Sequence, residues 1–201
     1  KEKDKEKEKE NEKEKENVEV NIEELDSANH DVVDGNTHEY MIFTDGACSN
    51  NGKINAKAGI GVYFGDGDKR NVSKRITGNQ TNNVAELSAI LEAFNICKDN
   101  VDSNIKIYTD SEYSINSFLV AASRAVRKPP LKNIELIREG YTFLREHKNF
   151  TIHHVKAHTG KGDILSLGNE AADKLATESL NQPDIELDKV SDTEGDKVSD
   201  T

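Results

Sequence analysis

Between residues 38 and 181, short apolar runs alternate with stretches of helical spacing, and the two patterns divide the chain into elements. Tyr40-Met41-Ile42-Phe43-Thr44-Asp45 is a β-branched and aromatic run that stops at a carboxylate and gives way to the small, turn-forming Gly46-Ala47-Cys48-Ser49-Asn50-Asn51-Gly52. It predicts a strand ending at Asp45. Ala58 to Phe64 predicts a second strand, in which Gly59 and Gly61 call for close backbone approach or room for a ligand. Gly65-Asp66-Gly67-Asp68 predicts a hairpin turn, and Asn71 to Ile76 a third, edge-like strand. Short links between the three make an antiparallel meander.

Helical spacing takes over at Val84, Leu87, Ile90, Leu91 and Phe94, with Thr81, Asn82 and Asn83 available as N-caps. Glu86 borders that apolar ladder beside Ala85 and Ala89. Ile105 to Asp110 repeats the opening design, a strand ending in Thr-Asp, and Ser111 caps a following helix that buries Ile115, Phe118 and Leu119. Pro129-Pro130 stops any helix there. Leu131 to His147 resumes helical spacing, Phe150 to Val155 predicts a fifth strand, and Ala157 to Gly168 a polar loop. The last helix is expected over Asn169 to Leu180, with Ala172, Leu175 and Ala176 inward. The fold class is therefore α/β: a mixed five-stranded sheet, antiparallel meander plus two parallel strands, flanked by helices.

The ends of the chain have another character. Residues 1–37 open on near-strict Lys/Glu alternation, which places like charges at i,i+4 and so opposes a stable helix. Residues 182–201 are acidic and carry the near-duplication Asp188 to Thr193 and Asp196 to Thr201. Both are too polar to offset ordering entropy by burial, so disordered tails are expected around a domain at 38–181. The formal charge of −11 divides as −7 over 1–37 (7 − 14), +1 over 38–181 (18 − 17) and −5 over 182–201 (2 − 7). An acidic total thus leaves a nucleic-acid substrate open to the central domain. Cys48 and Cys97 have neither metal-ligand spacing nor a disulfide-rich context and read as free thiols. No apolar run approaches the ~20 residues of a membrane span, and the first residues lack a signal-peptide core. An intracellular monomer without membrane contact is expected, with the tails free to take partners of unspecified kind.

Chemistry enters at the strand ends. Ligands bind at the carboxyl ends of strands in such sheets, so Asp45 and Asp110 can lie side by side if their strands are parallel neighbours. Two such carboxylates repel and raise one another's pKa unless a hard divalent cation, suited to carboxylate oxygens, sits between them. Glu86 and Asp173, about one turn into their helices, are placed to complete a four-acid ring.

The segments Thr44-Asp45-Gly46-Ala47-Cys48-Ser49-Asn50-Asn51-Gly52, Ala58 to Phe64, Gln80-Thr81-Asn82-Asn83-Val84-Ala85-Glu86-Leu87, Tyr108-Thr109-Asp110-Ser111, His154-Val155-Lys156-Ala157-His158-Thr159-Gly160 and Gly168-Asn169-Glu170-Ala171-Ala172-Asp173 resemble type 1 ribonuclease H, in its cellular, eukaryotic-like branch. The resemblance covers the central domain and implies a ribonuclease H-like fold. It further implies endonucleolytic cleavage of the RNA strand of an RNA–DNA hybrid, leaving 3′-hydroxyl and 5′-phosphate ends. By matching position Asp45, Glu86, Asp110 and Asp173 are the carboxylates for two Mg²⁺ ions, which Mn²⁺ can replace, and Asp45 bridges both. His158 matches a mobile-loop histidine that assists proton transfer or product release. Asn51, Gln80 and Asn82 match positions that meet the RNA minor groove and its 2′-hydroxyl, while Thr81 and Asn116 match parts of a pocket gripping a DNA-strand phosphate.

Three departures bear on substrate hold. Asn79 stands where relatives carry an arginine in that pocket, and the chain has no tryptophan for an aromatic platform. Ala121 to Leu131 is shorter than the family's basic protrusion, although Arg124, Arg127, Lys128 and Lys132 keep positive charge there, and Thr159 to Gly168 is longer. The alternatives are a DNA nuclease or resolvase on the same fold, and a hybrid-binding module with weak catalysis. If the four cations each meet one phosphate, hybrid affinity measured by fluorescence anisotropy should fall on the order of 100-fold between 50 and 200 mM salt. Salt-independent affinity would remove the basic segment from binding.

Overall fold

The computed structural model describes residues 38–124, 132–157 and 162–183, with backbone alone over 119–124. In chain order these form β1 (His38–Ser49), β2 (Lys57–Tyr63), β3 (Val72–Arg75), α1 (Asn82–Cys97), β4 (Ser103–Thr109), α2 (Glu112–Arg124), α3 (Ile134–Glu146), β5 (Phe150–His154) and α4 (Ile164–Ser179). The strands lie in the order β3-β2-β1-β4-β5. β1, β2 and β3 pair antiparallel, while β1, β4 and β5 run parallel. This is the mixed five-stranded sheet expected from the sequence.

Both faces of the central strands are covered, which explains why Tyr40 to Phe43 reads as a continuous apolar run rather than an alternation. On one face Ile42, Ile105 and Ile107 pack with Leu87, Ile90 and Phe94 of α1 and with Phe118 and Ile137 of α2 and α3. On the other, Phe43 and Tyr108 meet Ala172 of α4 together with Val155. Their rings stack at 5.2 Å across the register pair Phe43↔Tyr108.

Two boundaries differ from expectation. β1 does not end at Asp45: it continues to Ser49, because β2 keeps pairing with it as far as Ser49↔Lys57 and satisfies its backbone groups. What ends near Asp45 is the parallel pairing, whose last partners are Phe43↔Tyr108. The last helix starts at Ile164, not Asn169, with Asp163 capping it by accepting from Ser166 N at 2.8 Å. Ile164 and Leu167 in that first turn face solvent at 65% and 54% exposure, while Gly168 and Asn169 turn inward. The apolar signal therefore points the wrong way, and the segment reads as a loop. Asp173 consequently sits well inside α4 rather than about one turn from its start.

The strand glycines serve close approach. A Cβ on Gly61 would run into the Ala172 carbonyl and the Ala176 amide, and one on Gly59 into the Ser179 side chain. α4 lies directly on β2, pinned at its far end by Ser73 Oγ donating to Leu175 O at 2.7 Å. Gly61→Ala should push α4 from the sheet and lower unfolding free energy by about 1–3 kcal/mol, as overpacking does. An unchanged urea midpoint would mean that the helix has room to spare.

Candidate active site

Asp45 is 7% exposed on β1, just past the end of the parallel pairing, and one of its oxygens accepts from Gly46 N at 2.9 Å. Asp110 follows the last residue of β4, where the chain turns sharply: Ser111 N donates to Thr109 Oγ1 at 3.1 Å and Glu112 N to Asp110 O at 3.1 Å. Ser111 then caps α2 by accepting from Ser114 N. The two acids are thus held by neighbouring parallel strands, as the strand pattern predicts.

Glu86 arrives from the opposite side. Thr81 caps α1 through its hydroxyl, which accepts from Val84 N at 3.3 Å. Gly46 permits the next step: a Cβ there would strike the backbone of Ala85 and Glu86, so only glycine lets the first turn of α1 press against β1. Glu86 is 6% exposed as a result, and Asn82 Nδ2 donates to its Oε1 at 3.4 Å. Ligand atoms of Asp45, Glu86 and Asp110 lie within 4.8 Å of one another. Asp173 stands outside this grouping, half-buried on α4, but within hydrogen-bonding reach of Asp45.

Burial, then the charges of Asp110 and Asp173, push the Asp45 carboxyl well above the ordinary aspartate range. Burial, then Asp45 and Asp110, do the same for Glu86. Glu86 Oε2 is buried without a hydrogen-bond partner. An oxygen-only donor set, mutual repulsion and an orphaned carboxylate oxygen together fit a hard divalent cation.

The remaining predicted residues divide by what already holds them. Asn51 is exposed on the β1–β2 turn, and its Oδ1 accepts from Asn82 N at 3.3 Å, which ties that turn to the start of α1. Gln80 is occupied: its Oε1 accepts from Ala58 N at 2.8 Å, and its Nε2 donates to Ile76 O and Gly78 O at 3.0 and 3.1 Å. Its backbone carbonyl accepts from Cys48 Sγ at 3.6 Å. Asn116 is exposed on α2. Asn79 lines a separate cleft of about 640 Å³ with Lys74, Arg75, Glu92 and Asn133. His158 lies outside the described residues, as do positions 125–131 of the basic segment.

Two residues near the acids were not picked out from the sequence as site residues. Gly46 carries no signal beyond its place after Asp45. Asn169 donates from Nδ2 to Asp110 Oδ2 at 3.2 Å. Its spacing of four from Asp173 puts both on one face of the last helix, but its partner Asp110 lies 59 residues away in the chain.

Carboxylates gathered at the end of the parallel strands of a mixed sheet, with helices behind them, define an α/β protein whose acid cluster could hold a metal ion. The chain belongs to the RNase H family, whose model matches residues 37–181. It is 31% identical over 172 residues to the ribonuclease H of Schizosaccharomyces pombe, covering 82% of this chain and 61% of that protein. Ribonuclease H1 of Homo sapiens is 32% identical over 168 residues, covering 75% of this chain and 54% of the relative. The chain thus spans a little over half the length of these relatives. It covers 95% of the ribonuclease H of Clostridium botulinum strain Hall, at 31% identity over 150 residues and 71% of this chain. Among solved structures, the RNase H domain of PFV aligns with a TM-score of 0.54 at 25% identity, over 72% of this chain and 95% of that one.

Because Asp45 and Glu86 titrate above their unfolded values, the folded metal-free protein retains protons that the unfolded chain has released. Their contribution to stability is complete below the ordinary carboxylate range and is lost as pH rises toward the raised values. Without divalent ions, Asp45→Asn should therefore raise the thermal midpoint at pH 7, by about 2–4 °C per kcal/mol recovered. The gain should shrink at pH 4. A midpoint lowered at both pH values would contradict the repulsion.

Proposed function

We propose that this chain hydrolyses the RNA strand of RNA–DNA hybrids endonucleolytically, leaving 3′-hydroxyl and 5′-phosphate ends. The observation that carries the reading is the convergence of Asp45, Glu86 and Asp110 within 4.8 Å in a chain of the RNase H family. The motifs that resemble type 1 ribonuclease H support the substrate. The catalytic domain on this reading is 38–181, between the charged tails.

Asp45, Glu86, Asp110 and Asp173 would hold two Mg²⁺ ions, or Mn²⁺ in their place. Bound there, such a pair would supply activation of the attacking water and stabilisation of the leaving oxygen. The protein's own share is placement. Asp45, within 4.8 Å of Glu86 and Asp110 and with Asp173 in reach, would be the central ligand. Burial of Asp45 and Glu86 limits competing water around the scissile phosphate.

Asn51 and Asn82 present amide groups at the rim, where a 2′-hydroxyl can both donate and accept. Gln80 contributes through its backbone carbonyl, since its side chain is held by Ala58, Ile76 and Gly78. Thr81 and Asn116 are assigned to a DNA-strand phosphate; the Thr81 hydroxyl accepts in its capping bond and keeps its O–H to donate. His158 is assigned the proton-transfer or product-release role of the loop.

The experiment is cleavage of labelled RNA–DNA hybrid, duplex RNA and duplex DNA, each with Mg²⁺ and with chelator. Hybrid alone should be cut, at internal positions and only with the metal. Preferential cutting of duplex DNA would favour the resolvase-like alternative, and binding without turnover the non-catalytic one. Asp110→Asn should lower hybrid cleavage by about 10²–10³-fold, the scale of losing a key electrostatic group, with the circular dichroism spectrum unchanged. Full activity in that variant would remove Asp110 from the metal site.

A further inference from the structure

α4 meets the acid cluster at two points, one turn apart on the same helical face. Asp173 reaches toward Asp45, and Asn169 toward Asp110. Gly168, next to Asn169, lies against the Phe43 ring, where a Cβ would collide with the ring atoms. That contact, with Gly61 beneath Ala172 and Ala176, fixes how far along the sheet the helix sits. The register places an amide, and not a carboxylate, against Asp110.

Asn169 is only 2% exposed, and its side chain donates one hydrogen bond, from Nδ2 to Asp110 Oδ2. Nδ2 must be the end that faces Asp110 Oδ2, because a carboxylate accepts and the amide oxygen cannot donate. Oδ1 is then left buried with no partner in the protein. Buried polar atoms are seldom left unpaired, and those at functional sites await a ligand, water or ion. Among the described residues Glu86 Oε2, on the far side of the cluster, is the other carboxyl or amide oxygen in that condition.

We propose that Asn169 is a positioning residue for the metal centre. Its Nδ2 holds Asp110 in one carboxylate orientation, so that the opposite oxygen is presented toward Asp45 and Glu86, and its Oδ1 accepts from a water ordered when the centre is filled. Asn169 does not itself ligate the ion. It neutralises no charge, which is why an amide serves here: a carboxylate at 169 would add a further negative group to the cluster, and an aliphatic side chain would leave Asp110 free to rotate. This role rests on the reading that the acid cluster holds divalent ions.

The test compares the parent chain with Asn169→Ala, Asn169→Asp and Asn169→Ser, by calorimetric titration of hybrid-free protein with Mg²⁺ and separately with Mn²⁺. Loss of a residue that orients a metal ligand weakens affinity by about 10–100-fold, and that loss is expected for Asn169→Ala and Asn169→Asp. Asn169→Ser, which keeps a short donor, should retain part of the affinity. In hybrid cleavage, raising Mg²⁺ should restore kcat of Asn169→Ala toward the parent value, with KM for the hybrid unchanged. A role confined to packing would lower the thermal midpoint while leaving Mg²⁺ affinity as in the parent, and that result overturns the proposal. So would a kcat deficit that persists at saturating Mg²⁺. If the parent chain itself bound neither ion, the metal-centre reading would fail; unequal affinities are needed to judge Asn169 alone.

Discussion

Carboxylates within 4.8 Å of each other and mostly shielded from water repel, and nothing among the acids themselves holds them together. The cluster therefore has to be imposed by the surrounding fold. Each acid is anchored by a separate element whose position is settled by contacts away from the charges: Asp45 by β1 at the sheet centre, Asp110 by the end of β4, Glu86 by the first turn of α1. The large apolar core under α1, α2 and α3 is what opposes the repulsion, because moving any acid away means moving an element packed into it. Burial first, and then the neighbouring acids, push the Asp45 and Glu86 carboxyls well above their ordinary range.

Close approach is the means by which the fold does this. α1 can come near enough to β1 to deliver Glu86 only because residue 46 has no side chain, and α4 rests on β2 only because residues 59 and 61 have none. At Gly168 the same device lets α4 ride over Phe43 and puts Asn169 beside Asp110. These glycines do not need unusual dihedral angles; what they supply is space. A methyl group at any of them would be felt at the acids, some distance away, through a shift of a whole helix.

The mixed sheet class, the two Thr-Asp segments and the helical glutamate were legible because each rests on a local pattern: a β-branched run, an abrupt carboxylate, an N-cap followed by apolar spacing. The start of α4 was not, since its first turn exposes Ile164 and Leu167 and the residues that then turn inward are a glycine and an asparagine, the reverse of the usual amphipathic rule. Gln80 illustrates a different limit. Its side chain closes the 76–80 segment onto β2 through three backbone groups, and that pairing depends on a strand 22 residues earlier in the chain. Local spacing carries no record of it. The same holds for Asn169, whose partner is 59 residues away.

A consequence of this construction is that the rim and the centre of the site are mechanically joined. Asn51 accepts from Asn82 N, Asn82 donates to Glu86, and Glu86 belongs to the acid cluster. The exposed turn at Asn51 is therefore two hydrogen bonds from a carboxylate at the centre. At 3.3 and 3.4 Å both are long for amide donors, so each is weak enough to be exchanged for a bond to an incoming hydroxyl. If Asn82 turned outward to such a hydroxyl, Glu86 would lose its one side-chain donor at the moment the substrate arrives. The carboxylate would then depend more heavily on a cation, and substrate docking and metal grip would tighten together rather than independently.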